Sequence, residues 1–201
     1  MGKGKQRLDQ SAYLGEDFEA LNIATTGPQL LDCVRIGFGE YCGDYCQPEN
    51  YFIDGKPWSI LSSFLHTRIS ELIDVPPVRF IGDEDQYSDY YPAAAIKADP
   101  LKSSLNFVKI SSSSNKTEII HTTSYSGKSQ HRLKFEYGSR TYNLVITDKA
   151  YENSVMQSKN EDTKIIKDCY ITIGVGEVYT PETKKIPLHY RFIVGVIPTY
   201  Y

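Results

Sequence analysis

Arg132 and Lys134, two residues apart, and Arg140 across a turn are the side chains in this chain best suited to holding a polyanion. A guanidinium or ammonium group contacts phosphate oxygens, and such binding weakens steeply as salt rises. Lys128 and Lys109 stand nearby in sequence and would form a rim. Tyr137 and Tyr142 lie on the two arms of the same stretch, where either ring could stack on a base. The competing reading is plain: a charged face also keeps a small β domain in solution. His121 and His131 lie close by but have no evident nucleophile to activate.

Other constellations carry less. Cys42-x3-Cys46 lacks the two-residue spacing of a zinc knuckle, and no second close pair follows it. His66 could join it only through tertiary folding. Asp83, Glu84, Asp85 and Asp89 invite a calcium reading, yet the run lacks the spacing and central glycine of an EF-hand loop. A solvated acidic loop is the favoured reading, and Tyr87, Tyr90 and Tyr91 beside it are either exposed stacking rings or pins for the loop. Gly174-x-Gly176-Glu177 lacks the third glycine of a dinucleotide fingerprint, so its glycines are expected at a bulge or a close backbone approach. A Pro-Cys-x-x-Cys deaminase pattern and a Gly-x-Ser-x-Gly elbow are both missing. No cofactor, no metal site and no catalytic residue is assigned.

The elements that must position these groups are strands. From His131 to Asp148, Leu133, Phe135 and Tyr137 alternate with polar residues. Gly138-Ser139 breaks the run, and Tyr142, Leu144 and Ile146 alternate again. Period-two patterning on both arms of a glycine turn predicts a hairpin with one buried face. Its other face is expected to carry Arg132, Lys134 and Arg140. Further strands are expected over 30–36, 78–81, 103–110, 117–121, 169–175 and 184–197, the last with Tyr190, Phe192, Val194 and Val196 on one face. Residues 42–58 read as a structured loop, with Trp58 plugging the core beside it and with Gln47, Glu49 and Asn50 forming either a polar site or caps on nearby backbone. From Pro57 to Ile73 the spacing of Ile60, Leu61, Phe64, Leu65, Ile69, Leu72 and Ile73 predicts one short helix beginning near Ser59. Residues 149–168 read as an excursion or a short helix. Many short strands, one helix and glycine-rich turns predict a mainly β fold of small barrels or a sandwich.

Composition is uneven along the chain. The net charge is −3. Acids predominate over residues 71–100 and bases over 101–140, so the two stretches could attract each other or turn a polyanion toward the second. Sixteen tyrosines favour strands and wet interfaces. With no membrane-length apolar run and no signal peptide, a cytoplasmic location with reduced thiols is expected and no membrane partner.

At the loop and the hairpin the sequence resembles the dual OB-containing domain family, bacterial domains thought to bind or help modify nucleic acid. The pieces carrying the likeness follow one order. They are the strand Leu31 to Ile36, the loop Gln47-Pro48-Glu49-Asn50 with Trp58, and the strand near Ser104 to Ile110. Then come Arg132-x-Lys134-Phe135, Tyr142-x-Leu144-x-Ile146-Thr147-Asp148, Ile173-Gly174-x-Gly176-Glu177, and the closing strand through Tyr190 to Ile197. The likeness implies two small OB-like β-barrel units with one short helix, over 28–100 and 101–201. Residues 1–27 depart from it, lacking the apolar strand, basic loop and Trp-x-Arg-Pro-like turn with which family members begin. That leaves the first unit incomplete, replaced by a different N-terminus, or completed by a partner. The acids of the shared motifs, Glu49, Asp148 and Glu177, could hold Mg²⁺ with Lys134 if the fold gathered them. The competing reading has Thr147-Asp148 capping the next turn or helix. The favoured expectation is a nucleic-acid-binding accessory module without its own catalytic site. The alternatives are a protein-interaction subunit of a bacterial or phage-related complex, engaging its partner through the N-terminal half, and, more weakly, an Mg²⁺-dependent nuclease.

Overall fold

The computed structural model describes residues 28–74, 89–111, 117–124, 127–138, 140–156, 163–166 and 168–199, with backbone only at 154–156 and 163–166. The expected strand 78–81, the acidic run 83–85 and the segment 1–27 lie outside the described residues. The chain is mainly β, as its patterning predicts.

The predicted hairpin is present. β8 (Ser129–Tyr137) and β9 (Arg140–Ile146) run antiparallel, with Leu133 opposite Leu144 and Phe135 opposite Tyr142. Gly138 makes the bend at φ +56°, a left-handed conformation that glycine adopts without strain. Leu133, Phe135, Tyr142, Leu144 and Ile146 are all buried. Phe135 and Tyr142 stack with ring centroids 5.3 Å apart.

Around this pair a larger sheet assembles in the order β10 (Thr163–Ile166), β7 (Thr117–Thr123), β8, β9, β12 (Leu188–Pro198), β11 (Cys169–Tyr179) and β6 (Leu105–Ile110). β5 (Tyr90–Pro92) also pairs with β12. Only β9 and β12 run parallel among the pairs described. One face of the sheet buries Val108, Ile110, Ile119, Ile171, Ile173, Ile193 and Val196 with the hairpin's apolar side chains. Burial pushes the Cys169 thiol and the Tyr151 hydroxyl on this face each up to about 12. β6 and β10 stand at opposite ends of the order with no hydrogen-bonded closure between them, so the described strands form an open sheet rather than a closed barrel.

The helix predicted from Pro57 to Ile73 is half strand. Ser59–Ser63 forms β4, antiparallel to β1 (Asp32–Arg35), and only His66–Leu72 turns as a 3₁₀ helix. Asp32 Oδ1 accepts the Ser63 hydroxyl at 2.8 Å, tying the two strands at their ends. The apolar spacing misled because one side chain, Ile69, carries the burial, packing with Tyr170 and Ile197 on the outer face of the large sheet. Ile60, Leu61, Leu65 and Leu72 are exposed. The other pair in this half is β2 (Phe38–Tyr41) with β3 (Tyr51–Ile53). The α-helices fall elsewhere, at α1 (Ala93–Ala98) and α2 (Lys149–Met156). Trp58 is half-buried and belongs to none of the described core clusters.

The closing strand also differs from its reading. Tyr190 and Phe192 face away from the core, while His189, Arg191 and Ile193 face in. A bulge between Ile193 and Gly195 then returns Val196 to the core. No described helix is long and apolar enough to cross a membrane.

The inward and outward sides of β8 make a direct test. Phe135→Ala is expected to cost about 3–5 kcal/mol. Lys134→Ala, one residue away on the other face, should change stability by less than about 0.5 kcal/mol. Urea unfolding of the two variants measures both.

Candidate nucleic-acid interface

Side chains alternate across a strand, so a hairpin cannot place Arg132, Lys134 and Arg140 on one face. Register sets Arg132 opposite Val145 and Lys134 opposite Asn143, on the outer face. Arg140 opposes Tyr137 and shares the inner face with Tyr142 and Leu144. Its Nη1 is buried and has no hydrogen-bond partner among the described residues. Arg140 therefore leaves the expected basic face. Tyr142 leaves the candidate site too, since it is 1 % exposed and stacked in the core. Tyr137 packs against the same core, and burial raises its hydroxyl pKa.

On the outer face Arg132 is held firmly. Its Nε donates to Asn143 Oδ1 at 3.1 Å and its Nη2 to the Asn143 carbonyl. The same Nη2 lies 2.7 Å from Asp89 Oδ2. Lys134 is freer, with Glu118 Oε2 4.0 Å away on the neighbouring strand. Lys128 is exposed in the β7–β8 turn. Lys109 lies on the outer face at the far edge of the sheet, with its Nζ 6.0 Å from the centre of the Tyr170 ring. Three strands, β9, β12 and β11, separate it from β8. The structure thus groups Lys128, Arg132 and Lys134 on one hairpin and sets Lys109 apart.

Of the rings beside this face, Tyr90 is among those the sequence offers either as exposed stacking rings or as pins for the acidic loop, and Tyr190 is set there with the apolar residues of the closing strand. Asp89 leads directly into Tyr90, which pairs with Tyr190 across β5 and β12. Tyr90 and Tyr190 have centroids 5.9 Å apart, and Tyr179 lies 6.4 Å from Tyr190. Lys184 Nζ sits 3.6 Å over the Tyr90 ring. Burial, and then the Asp89 carboxylate, raise the Tyr190 hydroxyl pKa. The outward position of Tyr190 was missed because the closing strand's faces were read from its large apolar residues.

Two of the motif acids, Glu49 and Asp148, are fasteners. Glu49 Oε1 accepts the Ser104 N–H at 2.8 Å, the Ser104 hydroxyl at 2.7 Å and the Leu105 N–H at 3.1 Å. Gln47 donates to the Val175 carbonyl at 3.1 Å, and Asn50 donates to Gln47 Oε1 at 2.8 Å. Asp44 Oδ1 folds the loop by accepting the N–H groups of Cys46 and Gln47, each at 2.9 Å. Cys46 is buried with Tyr91, Ile96, Leu101 and Val175, and its thiol meets Asp44. Asp148 caps α2 by accepting the Tyr151 N–H at 3.0 Å, and its other oxygen takes the Val196 N–H at 3.0 Å beside the β12 bulge. The Thr147 hydroxyl donates to the Ile193 carbonyl at 3.2 Å. Glu177 is exposed on β11. Gly176 lies in the β11 bulge, where a Cβ would stand 2.7 Å from the Phe192 ring, the close approach its glycine predicts. Glu49, Asp148 and Glu177 therefore do not converge, and no described group of three His, Cys, Asp or Glu residues could hold a metal.

Two inward groups also escaped the sequence reading. His189 is fully buried. Its Nδ1 donates to the Gly176 carbonyl at 3.0 Å, leaving Nε2 to accept the Tyr45 hydroxyl at 3.1 Å. Arg191 is 1 % exposed, its guanidinium 4.6 Å from the Tyr91 ring centre and 5.6 Å from that of Tyr142. Aromatic walls make a buried guanidinium tolerable, but pairing of this kind leaves no spacing pattern to read.

These features define a mainly β protein whose described residues present a cationic and tyrosine-bearing sheet face and assemble no metal cluster. The dual OB-containing domain family model matches residues 16–196, and the chain belongs to that family. The match begins inside the segment 1–27 that the sequence reading set apart. No curated protein and no solved structure matches the chain at a significant level.

Asp148→Ala removes a helix cap and strands the Val196 N–H. It is expected to lower stability by about 2–4 kcal/mol, read by chemical denaturation.

Proposed function

We propose that the protein is a nucleic-acid-binding accessory module of a bacterial or phage-related complex, acting in the cytoplasm without a catalytic centre of its own. The observation that carries this reading is the outer face of the β8–β9 hairpin. Arg132 and Lys134 stand there on one side of the sheet, and Asp89 connects Arg132 to the Tyr90–Tyr190 pair. Lysine and arginine neutralise phosphates, while tyrosine rings accept bases of any sequence. Membership in the dual OB-containing family supports a binding role of this general kind. In this reading residues 28–100 and 101–201 are two OB-like units, the first left open, with β5 bridging to the second.

Fluorescence anisotropy against single-stranded and duplex DNA and RNA tests the reading. Binding at low salt should weaken as salt rises. Lys134→Ala should weaken it several-fold and flatten the log–log salt slope by about 0.7–0.9, the loss of one phosphate contact. Folded protein that binds none of these probes at low ionic strength would overturn it.

A second reading, protein interaction through the N-terminal half, has its own support. Among the described residues, eight of the eleven exposed large hydrophobic ones lie between Leu30 and Leu72. They sit on or beside two-stranded sheets, which are marginal when isolated. A partner co-purified from the native host and lost on Ile60→Ser with Leu61→Ser would favour it.

A further inference from the structure

The contact between Arg132 and Asp89 has the chemistry of an anion subsite already filled by the chain itself. Arg132 is pre-oriented, because Asn143 takes two of its N–H groups and fixes the guanidinium plane on the outer face. Fixing the fork before the ligand arrives reduces the ordering that binding must overcome. Asp89 meets it through one oxygen at 2.7 Å. The pair is only partly shielded, at 16 % and 23 % side-chain exposure. A partly exposed ion pair of this sort adds little to stability. A phosphodiester that is not tethered by the Asp89 backbone can bring both of its free oxygens to the guanidinium and engage it bidentately. Asp89 is also held from behind, since its carbonyl accepts the Arg191 N–H at 2.8 Å. Its carboxylate can therefore swing off Arg132 while its backbone stays in place.

From this geometry we infer that Arg132 and Asn143 form a phosphodiester subsite in which the Asp89 carboxylate stands where a backbone phosphate binds. The inference rests on the nucleic-acid reading and adds to it an internal competitor that lowers affinity. The subsite opens toward Tyr90 and Tyr190, so a phosphate seated there brings its neighbouring base to the tyrosine pair. Lys134, weakly engaged by Glu118, would take the next phosphate along β8.

Four proteins decide it: the wild type, Asp89→Asn, Arg132→Gln and the double variant, each checked for an unchanged thermal melt. Two probes are titrated, a labelled single-stranded oligonucleotide and inorganic tripolyphosphate. Asp89→Asn should bind the oligonucleotide about three- to tenfold more tightly than wild type at low salt, since a competing charge is removed. Its salt slope should steepen by about 0.7, one added phosphate on a single strand. Arg132→Gln should erase that gain in the Asp89→Asn background while changing the wild type much less. Tripolyphosphate should follow the same order, and it separates the two claims. If no variant binds the oligonucleotide but Asp89→Asn gains tripolyphosphate binding that Arg132→Gln removes, the subsite stands and the nucleic-acid reading falls. If the wild type binds the oligonucleotide while Asp89→Asn matches it in affinity and slope, the subsite is wrong and the broader reading survives. If Asp89→Asn gains nothing with either probe, the inference is overturned.

Discussion

Strand alternation is the constraint from which the rest of this molecule follows. Leu133 and Phe135 must face the core with Tyr142 and Leu144, because on that face they join the main cluster of buried apolar side chains. Shifting the pairing by one residue would bury Lys134 and expose Phe135, at a cost of several kcal/mol for those two groups alone. The register of β8 and β9 is therefore strongly specified. With it are specified the outward positions of Arg132 and Lys134 and the inward position of Arg140. The charge pattern of the outer face is a by-product of burial on the inner one.

The same logic marks what could be read in advance. The hairpin, its glycine turn, the strands on either side and the buried set on β8 and β9 were all legible, because each is a local period-two signal. Arg140 was misplaced although the signal was there: it stands two residues before Tyr142 and must share its side. The stretch around Ser59 failed for a different reason. Its apolar residues fit a helical period, yet most remain exposed, so the spacing recorded no burial. The backbone there follows β1 instead, through pairs such as Val34 with Ile60. The closing strand was misread because a buried His189 and Arg191 look like surface residues in a sequence. Only tertiary partners, Tyr45 and Gly176 for one and the Tyr91 and Tyr142 rings for the other, make them interior.

The candidate site was legible in part. Local alternation makes Arg132 and Lys134 legible as outward cations, and Tyr90 is legible as a candidate exposed ring beside the acidic loop, whereas Tyr190 reads with the closing strand's apolar residues. Tyr137 and Tyr142 are near Arg132 in the chain but share the core's side of the sheet. Tyr90 and Tyr190 are distant in sequence and come together only through the β5–β12 pairing. The acidic and basic stretches do meet, at Asp89 and Arg132. The Gln47, Glu49 and Asn50 side chains read either as a polar site or as joinery for nearby backbone, and their hydrogen bonds are of the second kind: Glu49 accepts the amides at the start of β6, Gln47 donates to the Val175 carbonyl in β11, and Asn50 braces Gln47.

That joinery governs how the molecule comes apart. Glu49 and Gln47 are anchored on Ser104 and Val175, and Tyr91, Ile96 and Cys46 pack with Leu101 and Val175 in one cluster. Cutting the polypeptide near residue 100 would strip β5 from β12 and leave the Ser104 amide and the Val175 carbonyl without these partners. The segment from 44 to 50 and the large sheet are thus bound into one cooperative unit. A fragment beginning at residue 101 would enter solution with an unsealed end to its core, an aggregation-prone surface that the intact chain never presents.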